Sequence, residues 1–472
     1  MTVPTLSHGQ KTLAVLTLVI ALVLEIVDLT IVNTALPAIQ ADYAASPQTS
    51  EWVAAGYALA FAMCLMLGGR LGDALGYRRM FVIGVAGFTL ASVLCGVAGS
   101  GTQLVVARIL QGVTGAMMAP QSLALMQILF DPLERVHKMA LFGVIGGLAA
   151  IAGPILGGVL IHADLFGLGW RMIFLVNAPV GLIAMLMGLR FLPELRSPHG
   201  GGLDLAGTAL FALATAALVW PLIAMEHSGA GPLELGSLLG AVVLYAVGWR
   251  HVKRRSGEGR SVLFAPDLFT VPTFRLGLSI AASFALATGG FLLIFAFALQ
   301  RERGLSPLQT GLLHMPFSLG VMLGIGSIGR RLLPRYGRWV LVAGALMMAV
   351  SGGTLLLAIG LTPWPLMALL PLVALAGMGM GMASGSVGPV TVAHVDRAHA
   401  GAASGLLKTG QQLGTALGVA LIGGGYFASP HLTGLSGVLG ATLLLVPVLL
   451  VCAVLAVRLP SRLFGEGANR QT

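Results

Sequence analysis

Charge is the scarcest commodity in this chain. Asp, Glu, Lys and Arg make up 9% of its 472 residues, against roughly 25% in an ordinary soluble domain. A soluble globule of this length needs far more charge to cover its surface. Cysteine is nearly absent. Cys64, Cys95 and Cys452 each sit inside an apolar run, which excludes a disulfide framework and a zinc pattern. There is no ATP-binding P-loop, no HExxH and no His/Cys cluster. The sequence therefore offers an enzyme neither a metal nor a nucleophile–base pair, and it implies no cofactor. What it has in bulk is hydrophobic residues, at 57%. The composition implies an all-α polytopic membrane protein whose first partner is the lipid bilayer.

A helix needs roughly 20 apolar residues to span. Fourteen such runs occur, near 12–36, 50–69, 80–99, 103–128, 139–161, 171–191, 204–225, 233–249, 275–299, 308–329, 339–360, 364–388, 402–426 and 435–457. The short, weakly basic start MTVPTLSHGQK does not read as a cleavable signal, so the first run is expected to be kept. A net charge of +10 would hint at nucleic acid on a soluble protein. Here it follows membrane topology. With fourteen helices and both termini cytoplasmic, 22 of the 27 Lys and Arg fall inside and three outside; Arg108 and Lys408 lie within spans. That asymmetry is the positive-inside bias. It implies a multi-pass protein of the cytoplasmic (inner) membrane, with no nucleic-acid partner.

The chain repeats weakly. GGRLGDALGYRR (68–79) follows the second run and GSIGRRLLPRYGR (326–338) the tenth. Both are glycine-rich, basic and on the inner side. The seventh and eighth runs then read as an insertion between two six-helix halves, an architecture that places substrate between the repeats. The expected division is 1–198 for the first bundle, 199–271 for two inserted helices and a basic linker, 272–460 for the second bundle, and 461–472 for a cytoplasmic tail.

At this point the chain resembles the major facilitator superfamily, in its fourteen-helix drug:proton antiporter branch. Loop 2–3 matches the superfamily's most diagnostic motif through Gly68, Arg70, Leu71, Asp73, Gly76, Arg78 and Arg79. The first run carries LEIVDLTIVNTALPAI, with Asp28, Asn33, Ala35 and Pro37; the fourth carries VARILQGVTGA, with Arg108, Gln111 and Gly112. GGLAAIAGPILGG is similar to the glycine-proline antiporter motif, through Gly153, Pro154, Gly157 and Gly158. WRMIFLVNAPVG, GLSPLQTGLLHMP and GLLKTGQQLGTALGVALIG echo the same branch. The resemblance implies an alternating-access exporter of amphipathic organic compounds, driven by protons and acting as a monomer. It leaves open a dedicated exporter of one metabolite or antibiotic, possibly anionic.

Glu25 and Asp28 share a face of the first run, three residues apart. A carboxylate at that depth is a functional hypothesis by default. Burial penalises the charged form, which suits a group that takes up and releases a proton. Other spans hold no acid near their middle; Glu226 lies at the outer end of the seventh. Asp28 sits roughly 24 Å from the inner start of its helix and Arg108 roughly 8 Å from the outer start of its own. The two can meet in the outer half, either as a proton-dependent pair or as a fixed one.

The resemblance makes Gly68, Asp73, Gly76, Arg78 and Arg79 a conformational latch. Gly153, Pro154, Gly157 and Gly158 are expected to form a pliable, closely packed helix between the halves. Lys408 stands where the branch usually has a small polar residue. It either snorkels to water or faces the cavity and meets Glu25 or an anionic substrate. Further cavity candidates are Asn33, Trp52, Tyr57, Gln111, Gln121, Gln127, His314, Gln411, Gln412, Phe291 and Phe295.

Overall fold

The computed structural model describes residues 7–130, 132–195, 204–228, 231–395, 400–432, 434 and 436–460. The tail at 461–472 and Arg196, Arg397, Arg462 and Arg470 lie outside them. The described chain is helical throughout. Its helices are α1 (His8–Asp42), α2 (Pro47–Leu75), α3 (Tyr77–Gly96), α4 (Gly101–Leu129), α5 (Pro132–Ala163), the short α6 (Met172–Leu175), α7 (Asn177–Phe191), α8 (Leu205–Ser228), α9 (Pro232–Gly257), α10 (Pro272–Arg301), α11 (Pro307–Leu323), the short α12 (Arg330–Tyr336), α13 (Arg338–Leu361), α14 (Leu366–Val392), α15 (Ala400–Leu432) and α16 (Gly437–Val457). With α6 counted into α7, and α12 as a continuation of α11 through the π-helical turn Gly324–Gly329, fourteen helices remain, as the apolar runs require. Among the described residues, thirteen segments are long and apolar enough to cross a membrane. α4 is the exception despite its 29 residues. Arg108, Gln103, Gln111, Gln121 and Gln127 dilute its apolar character, and it carries the site described below.

Helix starts obey local chemistry. Ser7 caps α1 and Ser306 caps α11, each in a reciprocal capping box with the glutamine three residues on, Gln10 and Gln309. Gly76, at φ +104°, separates α2 from α3, a backbone conformation that glycine adopts without strain.

The chain divides into two compact units, one of 1–216 with 239–263 and one of 217–238 with 264–472. In the first, α1 packs on α5 and α7, α4 on α2 and α3, and α3 on α7. In the second, α10 packs on α15 and α16, α14 on α11 and α13, and α13 on α16. The neighbour pattern is the same once α1 to α5 and α7 are matched to α10, α11, α13, α14, α15 and α16. The weak sequence repeat is thus a repeat of packing.

At the end of the first unit a buried carboxylate gathers the chain. Asp204 Oδ1 caps α8 by accepting from the Gly207 N–H at 2.9 Å and meets His251 Nε2 at 2.8 Å. Its Oδ2 accepts from the Leu263 N–H at 3.3 Å. Burial pushes this carboxyl up, but the His251 contact and the two backbone N–H groups more than offset it and hold the group below its usual 3.8. Arg255 donates to the Ser261 carbonyl and Arg70 of α2 to the Val262 carbonyl. The basic stretch read as a linker is therefore tied down by specific bonds.

Candidate functional site

The α4 helix brings its polar side chains into the middle of the first unit. Arg108 is the largest fully buried side chain, 1% exposed, and Asp28 of α1 is 0% exposed. They form an ion pair, with Arg108 Nη1 at 2.6 Å from Asp28 Oδ2. Asp28 Oδ1 accepts two amide donors, Gln111 Nε2 at 2.7 Å and Asn177 Nδ2 at 2.8 Å. Both amides also reach Ser92 Oγ of α3, at 2.6 and 3.1 Å. Arg108 Nη1 donates in addition to Gln111 Oε1 at 2.6 Å, and Arg108 Nε to the Val53 carbonyl of α2 at 3.1 Å. The guanidinium lies over the Tyr57 ring at 4.3 Å and the Phe174 ring at 5.7 Å. Five helices, α1, α2, α3, α4 and α7, thus contribute to one network around this carboxylate.

The chemistry of this arrangement is one-sided. Three N–H donors point at Asp28. An ionised carboxylate, which only accepts, satisfies all three. A protonated one brings an O–H into a ring of donors and releases the attraction on Arg108. Adding one proton therefore forces the network to rearrange, and a packed core rearranges in discrete steps.

Sequence reasoning placed Asp28 and Arg108 in the same outer half, and they meet. Gln111 and Tyr57, read as substrate-cavity candidates, stand in the charge network. Ser92 and Asn177 were missed. Asn177 lies within a quoted motif, and a lone amide in the apolar run MIFLVNAPVGLIAM was the available signal. Glu51, near the start of α2, was missed as well; it is 0% exposed. Glu25 is buried on the Asp28 face of α1.

Asp73 accepts from the Tyr77 hydroxyl at 2.8 Å. Among the described residues, no arginine pairs with it. Arg78 instead donates to the Leu189 carbonyl and pairs with Glu194 at 3.4 Å, and Arg79 is exposed. Gly68 lets α2 approach the Ala116 carbonyl of α4, where a Cβ would collide. Gln121 donates to the Gly68 carbonyl at 2.8 Å, so it ties two helices together. In α5, Gly153 and Gly157 are buried against Thr30 and Ile31 of α1, beside Asp28, with no room for a side chain at Gly153. Pro154 and Gly158 are buried too. The close approach that these glycines serve is within the first unit.

In the second unit, Lys408 is exposed, Gln411 half-buried and Gln412 buried on α15. His314 is buried among Phe291, Phe295 and Phe317. Asn33 and Trp52 of the first unit are half-buried. The side chain of Gln127 lies outside the described residues.

The family model named Major Facilitator Superfamily matches residues 18–419 and 280–467. The chain belongs to the major facilitator superfamily. It is 39% identical over 412 residues to the probable actinorhodin transporter of Streptomyces coelicolor, covering 86% of this chain and 70% of that one. It is 37% identical over 406 residues to the puromycin resistance protein pur8 of Streptomyces alboniger, covering 85% and 79%. Among solved structures, a bacterial homologue of the human lysosomal transporter Spinster, inward-facing and unoccupied, superposes with a TM-score of 0.66 at 19% identity, over 97% of this chain and 98% of that one. That likeness concerns the fold. This member of the superfamily is a multi-pass membrane transporter.

Proposed function

We propose that the protein is a proton-coupled exporter of amphipathic organic compounds, of the drug:proton antiporter kind, with Asp28 as its coupling residue. The observation that carries this reading is a fully buried carboxylate held by three N–H donors, one of them on a buried guanidinium. Protonation of Asp28 from outside loosens Arg108, Gln111 and Asn177 together. Because these groups stand on α1, α4 and α7, the change reaches how those helices pack. Deprotonation towards the cytoplasm restores the network seen here. Glu25, one turn away on the same helix, is a second protonatable group on the path. Segment 68–79 acts as the latch, with Gly68 admitting α4, Gly76 turning the backbone between α2 and α3, and Asp73, Arg78 and Arg79 carrying its charge. The site lies in the inner membrane of a bacterium, with both termini cytoplasmic and one chain as the working unit.

A second reading has specific support. Two of the relatives are named for single antibiotics, actinorhodin and puromycin, which favours export of one compound. The test of both is uptake in proteoliposomes under an imposed pH gradient, with a panel of cationic, neutral and anionic compounds. Gradient-driven uptake by wild type that vanishes in Asp28→Asn supports the coupling. A panel in which one compound alone moves supports the dedicated exporter. Undiminished gradient-driven uptake by Asp28→Asn removes Asp28 from the coupling step.

A further inference from the structure

α11 turns a polar stripe into the protein. Thr310, His314 and Ser318 stand at successive turns and are all buried, while Leu312, Met315 and Leu319 are exposed. His314 is 1% and Thr310 0% exposed. His314 Nδ1 lies 2.9 Å from the Thr310 carbonyl. A carbonyl only accepts, so Nδ1 carries the hydrogen, and Nε2 of the neutral ring is then a bare acceptor. Among the described residues, Nε2 has no hydrogen-bond partner, and neither has the Thr310 hydroxyl. Buried polar atoms without partners are rare, and each one asks for an explanation.

The surroundings are aromatic. Phe291 stacks on Phe295 at 5.6 Å with 10° between the planes, and on Phe317 at 5.7 Å with 26°. Phe295 meets the His314 ring edge-on at 4.8 Å. A further planar ring can join such a stack as another layer. No Asp or Glu occurs within α10, α11, α13, α14, α15 or α16. A cation entering the box would find no counter-charge on these helices, whereas a neutral donor finds a waiting acceptor.

We propose that Phe291, Phe295, Phe317, His314 and Thr310 form a binding subsite for an uncharged planar aromatic compound bearing a hydroxyl, which donates to His314 Nε2. The subsite rests on the export reading above and narrows its substrate class. It is the Nε2 acceptor that sets the specificity, because a ligand lacking the donor leaves that atom unpaired.

The test uses 1-hydroxypyrene and its methyl ether, 1-methoxypyrene, as probes at a pH where the hydroxyl is neutral. Equilibrium binding to purified protein is measured in excess of protein-free micelles. Wild type is expected to prefer the hydroxyl probe by roughly tenfold, the loss expected for leaving a buried acceptor unmade. His314→Leu should bring the preference to about one while the ether still binds, and His314→Gln, whose amide oxygen also accepts, should restore part of it. Overturning results are a wild-type preference near one, a preference that survives His314→Leu, or no binding of either probe above micelles. Helical signal and elution volume of each variant confirm that it is folded. Binding needs no pH gradient. Loss of gradient-driven transport with the preference intact therefore counts against the export reading and not against the subsite.

Discussion

The most exposed consequence of the Asp28 network is energetic. Replacing Asp28 by Asn keeps the shape and deletes the charge. Arg108 is then a guanidinium at 1% exposure without the carboxylate it pairs with. The new Nδ2 also faces one of the three donors that Asp28 receives, so one contact becomes donor against donor. Breaking a buried pair by removing one partner costs about 3–5 kcal/mol. Removing both partners leaves no stranded charge, and replacement of a buried pair by apolar groups is often close to neutral. Arg108→Met should therefore rescue the stability of Asp28→Asn, with a coupling of about 3 kcal/mol across the cycle, within the range seen for residues in contact. Transport should not return, because neither Asp28→Asn nor the double variant has the carboxylate that exchanges the proton. The four proteins are compared by denaturant midpoint in detergent and by pH-driven uptake in proteoliposomes. Additive midpoints would refute the reasoning, since uncoupled residues cannot be a buried pair. Restored uptake in the double variant would refute the coupling role.

Three further outcomes are expected. Asn177→Leu removes one donor from Asp28 Oδ1 and one from Ser92; a hydrogen bond to a charged group contributes about 1.5–3 kcal/mol, so gradient-driven uptake should fall about tenfold or more, and wild-type rates would remove Asn177 from the network. Gly153→Ala drives a methyl into Thr30 and should cost about 1–3 kcal/mol through overpacking; adding Thr30→Ala should recover part of the lost melting temperature, and an unchanged midpoint in the single variant would show that α5 and α1 are not in close contact. Asp204 is held below 3.8 when folded, so its contribution is present above that pH and fades as pH falls through the lower folded value; Asp204→Asn keeps a capping oxygen but loses the charge, so it should melt earlier at neutral pH, by about 1 kcal/mol, the difference between hydrogen bonds to a charged and to a neutral acceptor, and the gap to wild type should close on acidification towards pH 3.

Much of this protein was legible in one sequence because a membrane imposes simple rules. Apolar run length set the fourteen helices, and the split of Lys and Arg around them implied an orientation. α4 is instructive: it falls short as an apolar segment because Arg108, Gln111 and Gln121 interrupt it, and those residues are what make it central. Asp28 stood out for the same reason, as a charge where charge is expensive. The identity of its companions was not legible. Asn177 is 149 positions from Asp28, and an isolated amide in an apolar run does not announce its partner. That Gln111 and Tyr57 stand against Asp28 and Arg108 was likewise not legible.

The sequence by itself determined what must be buried and what must be satisfied, since hydrocarbon gives unpaired polar groups nowhere to go. Tertiary structure decided who satisfies whom. Packing α1 against α5, through glycines that admit Thr30 and Ile31, sets α1 and its Asp28 in the first unit. Packing α4 between α2 and α3 turns Arg108 to meet that carboxylate. The repeat brings the second unit to the same helix pattern, yet there α14, the counterpart of α4, carries no charge at all. The shared packing turns different side chains inward: a guanidinium beside a carboxylate in one unit, and in the other an imidazole among phenylalanines, bonded through Nδ1 to the Thr310 carbonyl.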